Sequence, residues 1–168
     1  MTMPQNKPGI EIRMATADDA SQIAAVLLAA FEEYRAVYTP AAFAATTPTS
    51  DQIQRRIHTN EGPVWVALLH GVIVGTVSAV PKGESVYIRS MAVLPSARGQ
   101  GIGEGLLRTL ESFASDYGAR RLFLSTTPFL TSAIWLYAHL GFRTTDEDPY
   151  DLFGTPLVTM AKPLEPAQ

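Results

Sequence analysis

Gly99, Gly101 and Gly103 recur at every second position of the segment Ala97-Arg-Gly-Gln-Gly-Ile-Gly-Glu104, between two apolar runs. The run before them, Tyr87-Ile-Arg-Ser-Met-Ala-Val-Leu94, is rich in β-branched and apolar residues and stops at Pro95, which reads as a buried strand. After them, Leu106, Leu107, Leu110, Phe113, Ala114 and Tyr117 are spaced by three and four and mark one face of a helix. A strand, a glycine loop and a helix N-terminus in that order make an anion site. The first amides of a helix lack internal partners, and their dipoles favour negative charge in front of the helix. Glycine carries no Cβ, so a phosphate can approach the backbone and the loop amides can converge on its oxygens. A pyrophosphate suits such a loop.

Other chemistries are poorly supplied. The chain has no cysteine, which removes disulfides, thiolate metal sites and a cysteine nucleophile together. His58, His70 and His139 have no ligand-like spacing, so no metal is expected. Neither a G-x-S-x-G elbow nor a G-x-x-x-x-G-K-S/T loop occurs, which disfavours hydrolase and P-loop readings. A nucleotide-binding reading of the glycine loop lacks an acidic residue at the ribose-recognition spacing. Glu32 and Glu33, toward the end of the first helix, are either carboxylates that meet an incoming amine or simply a polar face. Glu84 reads as a turn residue rather than a base.

A chain of 168 residues is most economically one domain, burying roughly 70% of the surface its unfolded form exposes. Hydrophobic residues make up 46% and charged ones 17%, which excludes a solvating polymer, and no apolar run is long enough to span a bilayer. The net charge of −3 gives no basic field, so neither nucleic acid nor membrane is an expected partner, whereas an amine substrate suits the balance. Residues 1–9 are polar with two prolines and read as a flexible tail without the apolar core of a signal peptide, pointing to a cytoplasmic protein.

The elements that must position the loop can be read in order. Ile10 to Met14 forms a first strand, and a helix runs from about Ala17 to about Tyr34, with Ile23, Leu27, Ala30, Phe31 and Tyr34 on one face. Tyr38 to Thr49 reads as an irregular connection, followed by a helix over Ser50 to His58. Val64 to Leu69 and Val72 to Val80 form a hairpin about His70-Gly71, which with the strand before the loop makes an antiparallel meander. The helix after the loop ends near Gly118. Arg120 to Thr126 then forms a strand parallel to the one before the loop. A helix capped by Thr131 or Ser132 ends at Gly141, and a last strand or two lie within 142–163.

Arg98-Gly-Gln-Gly101-Ile-Gly103 is similar to the R/Q-x-x-G-x-G/A pyrophosphate loop of the GCN5-related N-acetyltransferase (GNAT) family, with Met91-Ala-Val93 and Pro95 where that family has its central strand and exit. Trp135-Leu-Tyr-Ala-His-Leu-Gly-Phe142 resembles its later x-L-Y-x-x-x-G-F helix end. Two motifs in the right order, and an element order that agrees from about residue 10 to 162, are far more specific than one loop. The resemblance implies one α/β (α+β) N-acetyltransferase domain over 10–163, a mixed, mostly antiparallel sheet flanked by helices with a splayed central strand pair. Acetyl-CoA is the implied cosubstrate, without a metal. Its pantetheine arm would lie in the splay against the backbone of Met91, Ala92 and Val93, and its pyrophosphate on the amides of Arg98, Gly99, Gln100, Gly101, Ile102 and Gly103. Tyr137 is implied as the general acid toward the CoA sulfur, with the Met91 amide facing the carbonyl oxygen. Leu130 stands where the family often has an asparagine, and Tyr87 where histone-type members carry a glutamate base, so neither of those roles transfers.

The implied activity is direct acetyl transfer to a primary amine of a small molecule or peptide. Phe31, Glu32, Tyr34 and Tyr38, where aromatics and carboxylates mix in an irregular segment, are the expected acceptor contacts. A non-catalytic acyl-CoA-binding module is the alternative, and Tyr137 is the residue that binding alone would not require. The acceptor's identity, the general base and a homodimer are left open.

Overall fold

The computed structural model describes residues 9–147 and 151–165, so the expected tail, residues 1–9, lies outside the described residues apart from Gly9. The strands are β1 (Ile10–Met14), β2 (Val64–Leu69), β3 (Val72–Lys82), β4 (Ser85–Val93), β5 (Arg121–Thr126), β6 (Arg143–Thr144), β7 (Asp151–Leu152), β8 (Thr155–Pro156) and β9 (Val158–Pro163). The main sheet has the order β1-β2-β3-β4-β5-β9-β6, and β7 and β8 pair apart from it. Its neighbours are antiparallel except β4 and β5, which are parallel. The helices are α1 (Ala20–Phe31), α2 (Pro40–Thr46), α3 (Ser50–His58), α4 (Ile102–Tyr117) and α5 (Thr131–His139). The expected α/β fold, a mixed and mostly antiparallel sheet flanked by helices, is the one the chain adopts.

Both faces of the sheet are covered, and β2 shows how. Its odd residues Trp65 and Ala67 join one core with Ile102, Leu106, Leu107 and Leu110 of α4. Its even residues Val64, Val66 and Leu68 join a second core with Ile23, Val26, Leu27 and Ala30 of α1. Period-two alternation in a strand sends successive side chains to opposite faces, so a continuous apolar run is what a doubly covered strand requires. Burying each large side chain such as Leu106 or Leu110, both fully inaccessible, contributes about 1.5–3 kcal/mol. Gly75 of β3 brings α4 close: a Cβ there would lie 3.1 Å from Ile102 Cγ2 and 3.1 Å from Leu106 Cδ1.

Four expectations differ from the structure: α5 has Leu130 as its N-cap and no side-chain cap from Thr131 or Ser132, the described residues of 142–163 hold four short strands rather than one or two, and two helical segments differ. The first helix is not uniform, because a 3₁₀ turn precedes α1 and another, Glu32–Val37, follows it. The tighter winding carries Tyr34 and Tyr38 against Phe129, with ring centroids 5.9 and 4.9 Å away. The segment 38–49 is not irregular either, since α2 occupies Pro40–Thr46. Its signal was local rather than periodic: the Thr39 side chain accepts from the Ala42 N–H at 3.2 Å and Pro40 fills the first turn.

The entry to α1 is pinned by charge. Asp19 is buried, accepts two hydrogen bonds from the Arg13 guanidinium at 2.8 and 3.1 Å, and accepts one from the Thr16 N–H at 2.8 Å. These bonds, those from Arg13 first, hold its carboxyl below the usual range despite burial. A lowered carboxyl stabilises the fold fully above its unfolded pKa, about 3.9, and that contribution disappears as pH falls through the lower folded value. Asp19→Asn should therefore destabilise the protein by about 1–2 kcal/mol at neutral pH, a modest figure because Arg13 is more than a third exposed. Denaturant titrations of both proteins should show the gap closing below about pH 4.

Candidate active site

β4 and β5 are in register for three residue pairs, Ser85 with Arg121, Val86 with Leu122 and Tyr87 with Phe123. β4 continues to Val93 and β5 to Thr126 without further pairing to each other. The strands part there, and a cleft of about 730 Å³ opens between them. Met91, Ala92 and Val93 line one side, Leu124, Ser125 and Thr126 the other. The splayed pair expected from the motifs is present.

At one end of the cleft stands the glycine loop. Gly99 and Gly101 both have φ near 81°, a left-handed conformation that side chains rarely adopt, so glycine at these two positions is a backbone requirement. Gly101 is the N-cap of α4, and the amides of Ile102, Gly103 and Glu104 follow at the cleft edge. A Cβ on Gly103 would lie 3.1 Å from Leu136 Cδ2 and 3.2 Å from Met91 Cε, so this glycine lets the α4 N-terminus sit against both α5 and β4. Space at Gly99 is open. A helix N-terminus preceded by left-handed glycines with free space in front fits a pyrophosphate. The Arg98 side chain is engaged elsewhere, with Nη1 2.8 Å from Glu33 Oε1 and Nη2 donating to the Ala30 carbonyl at 3.3 Å, and its backbone N–H donates to the Pro95 carbonyl at 3.4 Å. Glu33, an alternative carboxylate for an amine, is occupied by that ion pair.

Further along β4 the register against β3 shifts: Thr76 faces Ala92 but Ser78 faces Arg89, so β4 holds one extra residue. Ser90 takes φ of 54° at this bulge. The bulge reverses the side-chain phase. Val86 and Ile88 belong to the α4 core before it; Met91 and Val93 pack on that core after it, while Ala92 turns to the α1 core. A bulge disrupts the ladder and re-aims the strand's groups, and Met91, directly after Ser90, lies on the cleft wall.

Tyr137 reaches the same wall from α5. The helix ends with the Phe142 N–H donating to the Tyr137 carbonyl at 3.0 Å and the Gly141 N–H to Ala138 at 3.1 Å, with Gly141 at φ 100°. This is a Schellman cap, in which the residue after the left-handed glycine packs back on the last turn. Phe142 does so edge-on to the Tyr137 ring at 5.8 Å. The tyrosine, glycine and phenylalanine of the motif are thus one structural unit that holds the phenol in place. Tyr137 is 8% exposed and lines the cleft. Burial, with smaller effects from the neighbouring Tyr87 and Tyr38 hydroxyls, pushes its pKa up, so the phenol stays protonated well past neutral pH.

The third side is aromatic. Phe31, Tyr34, Tyr38 and Leu152 line the cleft, and Tyr38 packs edge-on to Phe31, Phe43 and Phe129. Burial also raises the Tyr38 pKa. Of the site residues expected from sequence, all but two line this one cleft. Glu32 is exposed and paired with Arg35 at 2.7 Å, and Gln100 is not on the cleft wall. Sequence reasoning missed Arg56 of α3, Thr46 of α2 and Trp135 of α5, which also line it. An arginine that follows Arg55 on the polar side of an amphipathic helix distant in sequence carries no signal of its own, but Trp135 is the first residue of the motif that contains Tyr137.

Residues 26–142 match the sequence profile described as "Acetyltransferase (GNAT) family". The uncharacterized N-acetyltransferase YjgM of Escherichia coli is 29% identical over 139 residues, covering 80% of this chain and 83% of that protein. A mouse protein named for member 5 of N-acetyltransferase family 8 is 37% identical over 90 residues, 50% of this chain, and the chain spans only 40% of its length. Among solved structures, the PaiA N-acetyltransferase of Thermoplasma acidophilum in complex with coenzyme A superposes with a TM-score of 0.80 at 16% identity, covering 92% of this chain and 99% of that one. YncA of Salmonella typhimurium with its cofactor acetyl-CoA gives 0.73 at 24% identity, covering 94% and 95%. The structures share the fold, and the profile match spans the glycine loop, Tyr137 and the Gly141-Phe142 cap: the chain belongs to the acetyltransferase (GNAT) family.

Proposed function

We propose that the domain spanning residues 10–163 transfers the acetyl group of acetyl-CoA to a primary amine by direct attack. The observation that carries this reading is the convergence in one cleft of the left-handed glycine loop, the bulged strand at Met91 and a buried, protonated Tyr137. Bound acetyl-CoA supplies the activated thioester. The residues of this chain hold and orient the reactants, which contributes more than any single proton transfer can. The loop amides and the α4 N-terminus take the pyrophosphate, and the opened edge of β4 at Met91, Ala92 and Val93 offers backbone groups to an extended chain.

In the reaction the amine nitrogen bonds to the carbonyl carbon, and the Met91 amide steadies the charge on oxygen. The carbon–sulfur bond then breaks, solvent takes the amine proton, and Tyr137 gives its proton to sulfur and regains one from water. Glu104 is the acidic residue on the cleft wall among the described residues, and it is bound to Arg108 at 2.7 Å. No protein carboxylate is therefore assigned as base. Phe31, Tyr34 and Tyr38 form the acceptor wall.

Replacing Tyr137 by Phe removes the hydroxyl and leaves the ring against Phe142. The rate of acetyl transfer should fall by roughly 10²-fold or more with acetyl-CoA affinity and melting temperature little changed. Thiol release at saturating acceptor measures this, and full activity would leave Tyr137 as packing alone. In the wild type, no alkaline loss of rate from Tyr137 should occur below about pH 10, because burial favours its neutral form.

Gly101→Val forces a β-branched residue into the left-handed N-cap, at a strain of about 1–3 kcal/mol. Calorimetry should show acetyl-CoA affinity lowered at least about tenfold in the folded variant, and unchanged affinity would remove the loop from the site. Tyr34→Ala and Phe31→Ala should instead raise the apparent KM for the acceptor several-fold while leaving that for acetyl-CoA alone. Steady-state kinetics with both substrates varied would reveal the reverse pattern if the wall served the cofactor.

A further inference from the structure

Three arginines stand at or beside the bulge and the glycine loop, and their surroundings differ. Arg98 is paired with Glu33 at 2.8 Å and Arg89 with Glu61 at 2.7 Å. Arg56, projecting from α3, lines the cleft, yet no carboxylate of the described residues lies within ion-pair distance of it. Its Nη1 donates to the Ser90 hydroxyl at 3.1 Å. The guanidinium is half-buried, and burial first, then the neighbouring Arg89, lowers its pKa from the ordinary arginine value, against smaller raising effects of Glu61 and Tyr87. A half-buried cation with no ion-pair partner of its own carries a desolvation cost that an arriving anion offsets. A planar guanidinium fork on a cleft wall is shaped to hold a carboxylate through two parallel hydrogen bonds.

The position of Arg56 says which reactant brings that anion. Ser90, the residue it touches, is the left-handed bulge residue and directly precedes Met91, so Arg56 stands beside the segment assigned to the reacting carbonyl. The pyrophosphate already has its own site at the α4 N-terminus. Phe31, Tyr34 and Tyr38 line the same cleft.

Resting on the acetyl-transfer reading above, we propose that the acceptor is an amino acid or an amino-acid conjugate with a free carboxylate and an apolar body. The carboxylate binds Arg56, the apolar body lies on Phe31, Tyr34 and Tyr38, and the amine between them points to the thioester end.

The test is a panel of apolar L-amino acids, each assayed beside its carboxamide and its decarboxylated amine, with thiol release from acetyl-CoA as readout. At least one amino acid should exceed its amide and amine in kcat/KM by tenfold or more. Arg56→Met should lower kcat/KM for that amino acid roughly 30-fold or more, chiefly through KM, with less than a threefold change for the amine, so the two converge. Arg56→Lys, which keeps the charge without the fork, should fall between them and guards against misfolding of the first variant. Calorimetry should give wild-type acetyl-CoA affinity in both. Transfer to amines and amides but to no amino acid would overturn the carboxylate assignment while leaving acetyl transfer standing. Equal losses for amino acid and amine, or a tenfold loss of acetyl-CoA affinity, would assign Arg56 to the fold or to the cofactor. No thiol release with any member of this panel or of a wider set of amines would defeat the acetyl-transfer reading itself and this inference with it.

Discussion

β4 and β5 keep their antiparallel partners on the outer sides, β3 and β9, but give up each other after Tyr87 and Phe123. Strands twist, and a bulge adds to the twist locally. With the extra residue at Ser90, β4 follows its half of the sheet while β5 follows the other. Backbone N–H and C=O groups along the parting are then left facing a gap, and buried backbone groups need partners. The cleft is thus a polar-edged slot in an otherwise apolar interior, matched to an extended molecule that carries amides of its own. The residues assigned to the site are defined by their place along that slot.

Helix ends set where the reactive groups lie in it. α4 begins at a left-handed glycine and closes with the Gly118 and Ala119 amides donating to Ser115 and Ala114, each at 3.0 Å. α5 closes with the same type of cap at Gly141-Phe142. These caps satisfy carbonyls that would otherwise lack partners, and they fix rotation about the helix axis. For α5 that rotation decides where the Tyr137 hydroxyl points. A motif that looks like a catalytic tyrosine followed by incidental residues is in physical terms a cap that positions a phenol.

The electrostatic character of the site comes from what is paired and what is not. The exposed ion pairs at Arg98 and Arg89 contribute little stability each, yet they remove two cations and two carboxylates from the chemistry nearby. Phenols and one arginine remain around the reacting end. Phenols buried this way stay neutral and donate hydrogen bonds, which suits protonation of a leaving group far better than deprotonation of an amine.

Much of this was legible in the residues before any coordinates. The strand, glycine loop and helix from Tyr87 to Tyr117, the hairpin at His70-Gly71 and the parallel return at Arg121 are local patterns, set by apolar periodicity and by positions where only glycine fits. Both of its turn residues, at φ 50° and 82°, sit where an Asn-Gly-like turn would place them. What could not be read is what depends on packing between distant segments. α2 escaped notice because seven alanine-rich residues have no periodicity, and its helix is held by a threonine cap and by Phe43 in the aromatic cluster. The bulge at Ser90 is invisible in a run of apolar residues, since it exists only relative to β3. Arg56 acquires meaning only beside Ser90, thirty-four residues away. Local backbone chemistry is written in neighbouring residues and so was settled by sequence. The opening of the cleft, the phase of β4 across the bulge and the choice of which charges stay unpaired depend on contacts between elements, and the tertiary structure alone decided them.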